Sequence, residues 1–159
     1  MTLCYKNATK DDIDQIFLLN KKLIEKYEID LSLDFETINI WIKNKIKTNI
    51  EKYTCIYYDD FKVGYFYLDD KGEKFELDDL YVLNDYRGKG IGTEVLKFVD
   101  LNCKKKNKNV FLYVFAKNEG AIKLYIRNGY KIVKKIKESR YIMEKEEEGT
   151  VNKNKQIIK

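Results

Sequence analysis

Apolar residues recur along the chain with two different periods, and the switches between them mark out its elements. Leu3 to Asn7 reads as a first strand. Thr9 followed three residues later by Asp12 has the form of a capping box. Ile13, Ile16, Phe17, Leu19, Leu23 and Ile24 then fall along one side of a helix. A second helical pattern runs from about Asp34 to Lys47 and turns Ile38, Trp41, Ile42 and Ile46 inward. Tyr53 to Tyr58 and Lys62 to Leu68 are rich in strand formers and meet through Asp59-Asp60, which predicts a hairpin. Lys71-Gly72 turns the chain into a further strand, Phe75 to Val82.

That strand departs from regular alternation. Leu77, Leu80 and Val82 read as core positions, yet the first step is three residues and the second is two. Both steps reach one face only if an extra residue bulges out, and a bulge splays a strand from its neighbour and leaves backbone groups unpaired. The pattern then gives a helix from Gly92 to Lys105, with Val95, Val99 and Cys103 in line and Leu96 beside them, and a short strand from Val110 to Phe115. Asn118 to Asn128 is helical, with Ala121, Leu124, Tyr125 and Asn128 on one face, and Asn128-Gly129 stops it. Tyr130 to Val133 and Arg140 to Met143 read as the last strands. Beyond Lys145 the composition turns to Glu, Lys, Asn and Gly. One domain over 1–145 and a charged, disordered tail over 146–159 follow.

Composition narrows the function. The 159 residues suffice for one core, and no apolar run is long enough to span a bilayer. The N-terminus lacks a signal-peptide pattern, so a cytoplasmic location is the default. Cys4, Cys55 and Cys103 are odd in number and without C-x-x-C pairing, which fits reduced structural thiols. The net charge of +5 comes from 31 Lys and Arg interspersed with 26 Asp and Glu. The densest basic run, Lys104 to Lys108, sits where a helix ends and cations complement its dipole. A solvated lysine-rich surface is the reading, with neither nucleic acid nor membrane as partner. The chain has no histidine, which excludes Ser-His and Cys-His catalysis and the usual catalytic zinc sites. Proton transfer falls to carboxylate, tyrosine, cysteine, lysine or water.

Asp85 to Leu96 reads D-Y-R-G-K-G-I-G-T-E-V-L, between the Phe75 to Val82 strand and the following helix. Gly88, Gly90 and Gly92 allow close backbone approach, and the helix start offers unpaired N–H groups and a positive dipole end. Arg87 and Lys89 add charge. The ligand asked for is a phosphate or pyrophosphate. The lysine-Ser/Thr closure of a P-loop is missing, and the glycines do not have the G-x-G-x-x-G spacing of a dinucleotide fingerprint. What fits is R-x-x-G-x-G, as Arg87, Gly90 and Gly92.

With Leu80 and Val82 upstream, this run resembles the acyl-CoA-binding motif of the GNAT superfamily of N-acetyltransferases. The resemblance implies acetyl-CoA as cosubstrate, without a metal. Main chain from Arg87 through Gly88, Lys89, Gly90, Ile91 and Gly92 to Thr93 would hold the pyrophosphate. Leu80, Tyr81 and Val82 would line the pantetheine arm, with main chain of Tyr81 and Val82 pairing to it where the sheet parts. The implied fold is α/β (α+β), the GNAT acyl-CoA N-acyltransferase fold, a mixed sheet of about seven strands with helices on both faces. The element order fits that architecture along nearly the whole chain.

Asn118 to Tyr130, N-E-G-A-I-K-L-Y-I-R-N-G-Y, resembles the family's next motif, N-x-x-A-x-x-L-Y-x-x-x-G-[FY]. This gives Asn118 a polar contact to CoA, Ala121 a small contact surface, and Tyr125 the part of general acid to the departing thiolate. A tyrosine pKa of about 10 against about 8.5 for a thiol keeps that proton in place at neutral pH. Asp78 and Asp79 are the candidate general bases, since closely spaced carboxylates in a cleft raise one another's pKa and attract a cationic amine. Glu76 is read as facing solvent. The run from Leu77 to Gly88 looks most like the diamine acetyltransferase branch, in which the acid pair would be Glu-Asp; Asp78 is one methylene shorter. The acceptor pocket would come from the first two helices, around Tyr27 to Trp41, and the last strands.

The function implied is transfer of acetyl to a primary amine of a small molecule (polyamine, aminoglycoside or amino-acid-like) or a peptide. Homodimers are common in the family. A non-catalytic acyl-CoA sensor or partner-binding module on the same fold, and a basic RNA-associated protein, stay open as other classes.

Overall fold

Asp59 and Asp60 both take left-handed backbone conformations, with φ of 49° and 66°. That pair of angles is what a two-residue primed turn requires. The hairpin it makes joins β2 (Tyr53–Tyr58) to β3 (Phe61–Asp70). β1 (Leu3–Asn7) pairs antiparallel with β2, and β4 (Lys74–Val82) antiparallel with β3. β5 (Asn109–Phe115) runs parallel to β4, and β6 (Tyr130–Ile136) and β7 (Arg140–Lys145) complete one seven-stranded sheet in the order β1-β2-β3-β4-β5-β7-β6. The computed structural model describes residues 1–30 and 32–146. Apart from Glu146, the tail expected over 146–159 lies outside the described residues.

Alternation on the strands sends side chains to two separate cores. Tyr53, Cys55, Tyr65 and Tyr67 pack under α1 (Ile13–Tyr27) and α2 (Phe35–Asn49). Ile56, Phe66, Leu77 and Leu112 pack on the other face under α3 (Ile91–Lys105) and α4 (Glu119–Arg127). Helices therefore cover both faces of a mixed sheet. Side chains supplied by the sequence serve the turn leading into α1 and the starts of α2 and α4. Asp12 accepts from the Thr9 N–H at 2.8 Å, Asp34 from the Glu36 N–H at 3.1 Å, and Asn118 from the Ala121 N–H at 3.2 Å. No helix among the described residues is long and apolar enough to cross a membrane.

Two expectations need correction. Trp41 does not turn inward with Ile42 and Ile46; it is 63% exposed. The strand predicted to end at Val133 continues to Ile136. β6 is an edge strand whose outer residues are polar or exposed on both sides, so the alternation that reveals a half-buried strand is lost.

The extra residue in β4 is Asp78. Tyr67 pairs with Asp79 and the next residue, Leu68, pairs with Leu77, leaving Asp78 unopposed. This brings Leu77, Leu80 and Val82 to the same α3/α4 core. β4 and β5 pair only from Lys74↔Asn109 to Glu76↔Phe111. Beyond that point the two parallel strands separate.

Candidate functional site

The parted strands open a cleft of about 710 Å³. Its floor is β4 from Glu76 to Val82. One wall carries Asn20 and Tyr27 of α1 with Trp41 and Lys45 of α2. The other carries Asn118, Ala121, Leu124 and Tyr125 at and along α4, and the loop before α3 forms the rim.

Main-chain direction follows from the ladder. The Leu83 N–H donates to the Val63 carbonyl at 2.8 Å. Bonded pairs alternate along antiparallel strands, so Tyr81 is bonded back to its partner Tyr65, and the main chain of Leu80 and Val82 faces the gap. The expectation that Tyr81 offers main chain to a ligand is therefore corrected: its backbone is committed to β3. Its ring still lines the cleft, stacked on Tyr65 at 6.1 Å and 7°. The Val82 carbonyl accepts from Arg87 Nε at 2.8 Å, and the Arg87 guanidinium lies 5.0 Å from the centre of the Tyr81 ring.

The rim separates its residues into different roles. Gly90 is the N-cap of α3 with φ of +84°, a conformation that side chains rarely tolerate. A Cβ at Gly92 would stand 2.8 Å from Leu124 Cδ2, so Gly92 lets α3 and α4 approach. The N–H groups of Ile91, Gly92 and Thr93 open the helix and have no partner within it. The Ile91 side chain itself is buried in the core. Arg87, Gly88, Gly90, Ile91, Gly92 and Thr93 line the cleft. Lys89 is not among its lining residues; its ammonium sits 5.4 Å over the Tyr86 ring. The Asn118 side-chain Oδ1 is taken by its cap, accepting from the Ala121 N–H.

The acids of β4 form one charged cluster. Lys45 Nζ lies 3.1 Å from Asp78 Oδ2 and 3.7 Å from Asp79 Oδ2. The Tyr53 hydroxyl donates to Asp79 Oδ2 at 3.1 Å. Burial raises the Asp79 pKa against the opposing pull of Lys45, and Asp78 raises it further. Glu76 does not face solvent as expected. It lines the cleft with its side chain 13% exposed, and burial followed by the charge of Asp78 raises its pKa. A polar residue in strand alternation reads as outward, but the bulge at Asp78 and the gap beyond give Glu76 a cavity to face. Tyr125 is 8% exposed, and burial, then the charge of Asp79, hold its hydroxyl protonated well above the ordinary tyrosine range. Among the described residues no three His, Cys, Asp or Glu side chains are grouped to hold a metal ion.

An acetyltransferase (GNAT) domain model matches residues 49–132, more than half of the chain. The chain belongs to the GNAT acetyltransferase family. An uncharacterized N-acetyltransferase of Methanocaldococcus jannaschii is 27% identical over 137 residues, 81% of this chain. The chain spans 61% of that relative's length. The PaiA N-acetyltransferase of Thermoplasma acidophilum, solved in complex with coenzyme A, superposes with a TM-score of 0.73 at 23% identity, covering 92% of this chain and all of that one. Arabidopsis thaliana Naa50, solved with the bisubstrate analogue CoA-Ac-MVNAL, gives a TM-score of 0.64 at 24% identity, with coverage of 92% and 100%.

Within this GNAT domain, Lys45, Tyr53 and Asn20 belong to the site yet carried no sequence signal. They reach Asp79 from α2, β2 and α1 respectively. Only the fold brings them together.

Proposed function

We propose that this GNAT domain transfers acetyl from acetyl-CoA to a primary amine by direct attack. The observation that carries the reading is one cleft with a carboxylate pair on its floor and a buried, protonated tyrosine on its wall, close enough for the charge of Asp79 to act on Tyr125. The rim suits a diphosphate: a left-handed glycine admits main chain, and three unpaired N–H groups lead into α3. The gap-facing main chain of Leu80 and Val82 suits an extended arm. Release of Val82 by Arg87 would accompany its use.

Acetyl-CoA supplies an acyl group activated as a thioester. The residues of the chain do the rest. Glu76, Asp78 and Asp79 attract a cationic amine, and Asp78 or Asp79, directly or through water, takes the proton that amine must lose. Tyr125 keeps a proton available for the departing sulfur. Tyr27 and Trp41 line the cleft on the α1/α2 side. One protein of the same fold is solved with a CoA-linked peptide, which supports keeping peptide amines among the acceptors beside small-molecule amines.

Calorimetry with coenzyme A, paired with thiol release across polyamines, aminoglycosides, amino acids and peptides, tests the reading. Saturable binding and amine-dependent thiol release are expected, and Gly90→Val should lose the binding. Binding without thiol release for any amine would instead indicate a non-catalytic sensor. Absence of binding would end the proposal.

A further inference from the structure

The cleft already contains a primary amine. Lys45 projects from α2, whose Ile42 and Ile46 are anchored in the core at 5% and 0% exposure. Its side chain is 17% exposed, and its Nζ sits 5.6 Å from the centre of the Trp41 ring. It touches both carboxylates proposed to deprotonate an acceptor, at 3.1 and 3.7 Å. An external amine would have to reach that same relation. Lys97 and Lys104, by contrast, are 68% and 57% exposed and do not line the cleft.

We infer that Lys45 is a self-acetylation site, its Nζ taking the acetyl group of acetyl-CoA when no external acceptor competes. The inference rests on the acetyl-transfer reading. An ammonium proton passes to Asp78 or Asp79, and the freed lone pair forms the N–C bond to the acyl carbon. The C–S bond breaks, and Tyr125 gives its proton to the sulfur. The nitrogen then loses its second proton, which restores the Tyr125 hydroxyl, and the carboxylate releases the first to water. The products are Nε-acetyl-Lys45, coenzyme A thiol and one proton.

Two physical consequences follow. Burial disfavours the charged amine, but Asp79 and Asp78 outweigh it and hold Lys45 protonated, so the reaction is slow beside that of a free acceptor. Once formed, the neutral amide leaves Asp78 and Asp79 without their cation and occupies the acceptor's place. Self-acetylation is therefore a brake that engages when acetyl-CoA exceeds acceptor.

The full chain is incubated with acetyl-CoA alone and followed by intact mass and peptide mapping. One acetyl group at Lys45 is expected, forming more than ~10²-fold faster than at Lys97, as positioning of the nucleophile requires. Added amine acceptor should slow it, and turnover should decay with the extent of labelling. Lys45→Arg keeps the charge, and its turnover should not decay. Labelling confined to exposed lysines, or an unmodified Lys45 after incubation with acetyl-CoA alone in a preparation that acetylates an added amine in a separate assay, overturns the inference and leaves the acetyl-transfer reading intact. Failure of both labelling and thiol release overturns both. Mapping on the unsubstituted chain decides the matter even if Lys45→Arg fails to fold.

Discussion

The Tyr53 hydroxyl donates to Asp79 Oδ2 at 3.1 Å from a residue with no exposed surface. Tyr53 thus supports the cleft from inside the α1/α2 core, and its phenol is held protonated by burial and by the charge of Asp79. Tyr53→Phe keeps the ring and removes the donor. A buried carboxylate loses one partner, so stability should fall by roughly 1–3 kcal/mol at neutral pH. Chemical denaturation measures this. An unchanged midpoint would mean that water replaces the hydroxyl.

Asp79 gives a pH dependence of definite sign. Its folded-state pKa lies above the ordinary value, chiefly through burial. A carboxyl group raised on folding contributes stability that is full below its unfolded pKa and lost as pH rises through the folded one. Asp79→Asn removes that titration. The stability difference, Asp79→Asn minus the parent, should therefore be more favourable at neutral pH than in acid. Thermal unfolding of both chains across this window checks it. A difference independent of pH would show that Lys45 compensates Asp79 fully.

Much of this was legible in the chain because local rules decide it. The left-handed Asp59-Asp60 turn, the Thr9–Asp12 box and the three-then-two step at Leu77, Leu80 and Val82 are each set by neighbours in sequence, and each appears where the pattern predicts. Lys45 and Tyr53 are different. They stand 33 and 26 residues from their acid partners and act only once α2 and β2 close on β4. Trp41 shows a further limit. Helical spacing tells which side of α2 meets the body of the protein, but a cleft wall and a core both lie on that side. Tyr81 shows that a motif can name the right strand without telling which carbonyls face outward, since that depends on the phase of the ladder.

Two glycines should answer substitution in opposite ways. Gly64 pairs with Val82, and a Cβ there would lie 2.1 Å from the Tyr81 carbonyl oxygen. Backbone cannot rotate aside as a side chain can, so Gly64→Ala must push β3 from β4. A loss of more than ~2 kcal/mol is expected, near the upper range for overpacking. Gly120 lies within α4, and a Cβ there meets nothing within 4 Å. Gly120→Ala should stabilise the fold by up to ~1 kcal/mol through helix propensity. Paired melting curves test both, and a tolerated Gly64→Ala would contradict the register of β3 on β4.

Tyr125→Phe isolates the proposed acid from the packing role that an aromatic on α4 also serves. Phenylalanine preserves the ring and its contact with Tyr130, whose centre is 5.7 Å away. The fold and the affinity for coenzyme A should then be nearly unchanged, while kcat falls by ~10²–10⁴-fold, the range for loss of a general acid. Burial and Asp79 hold the hydroxyl protonated beyond the ordinary tyrosine range. In the unsubstituted chain, kcat should therefore not drop as pH rises through that range on account of this group. Steady-state kinetics with calorimetry on the same samples separate the two roles. Equal loss of binding and turnover would make Tyr125 a packing residue, and an unaltered kcat would assign the thiolate's proton to water.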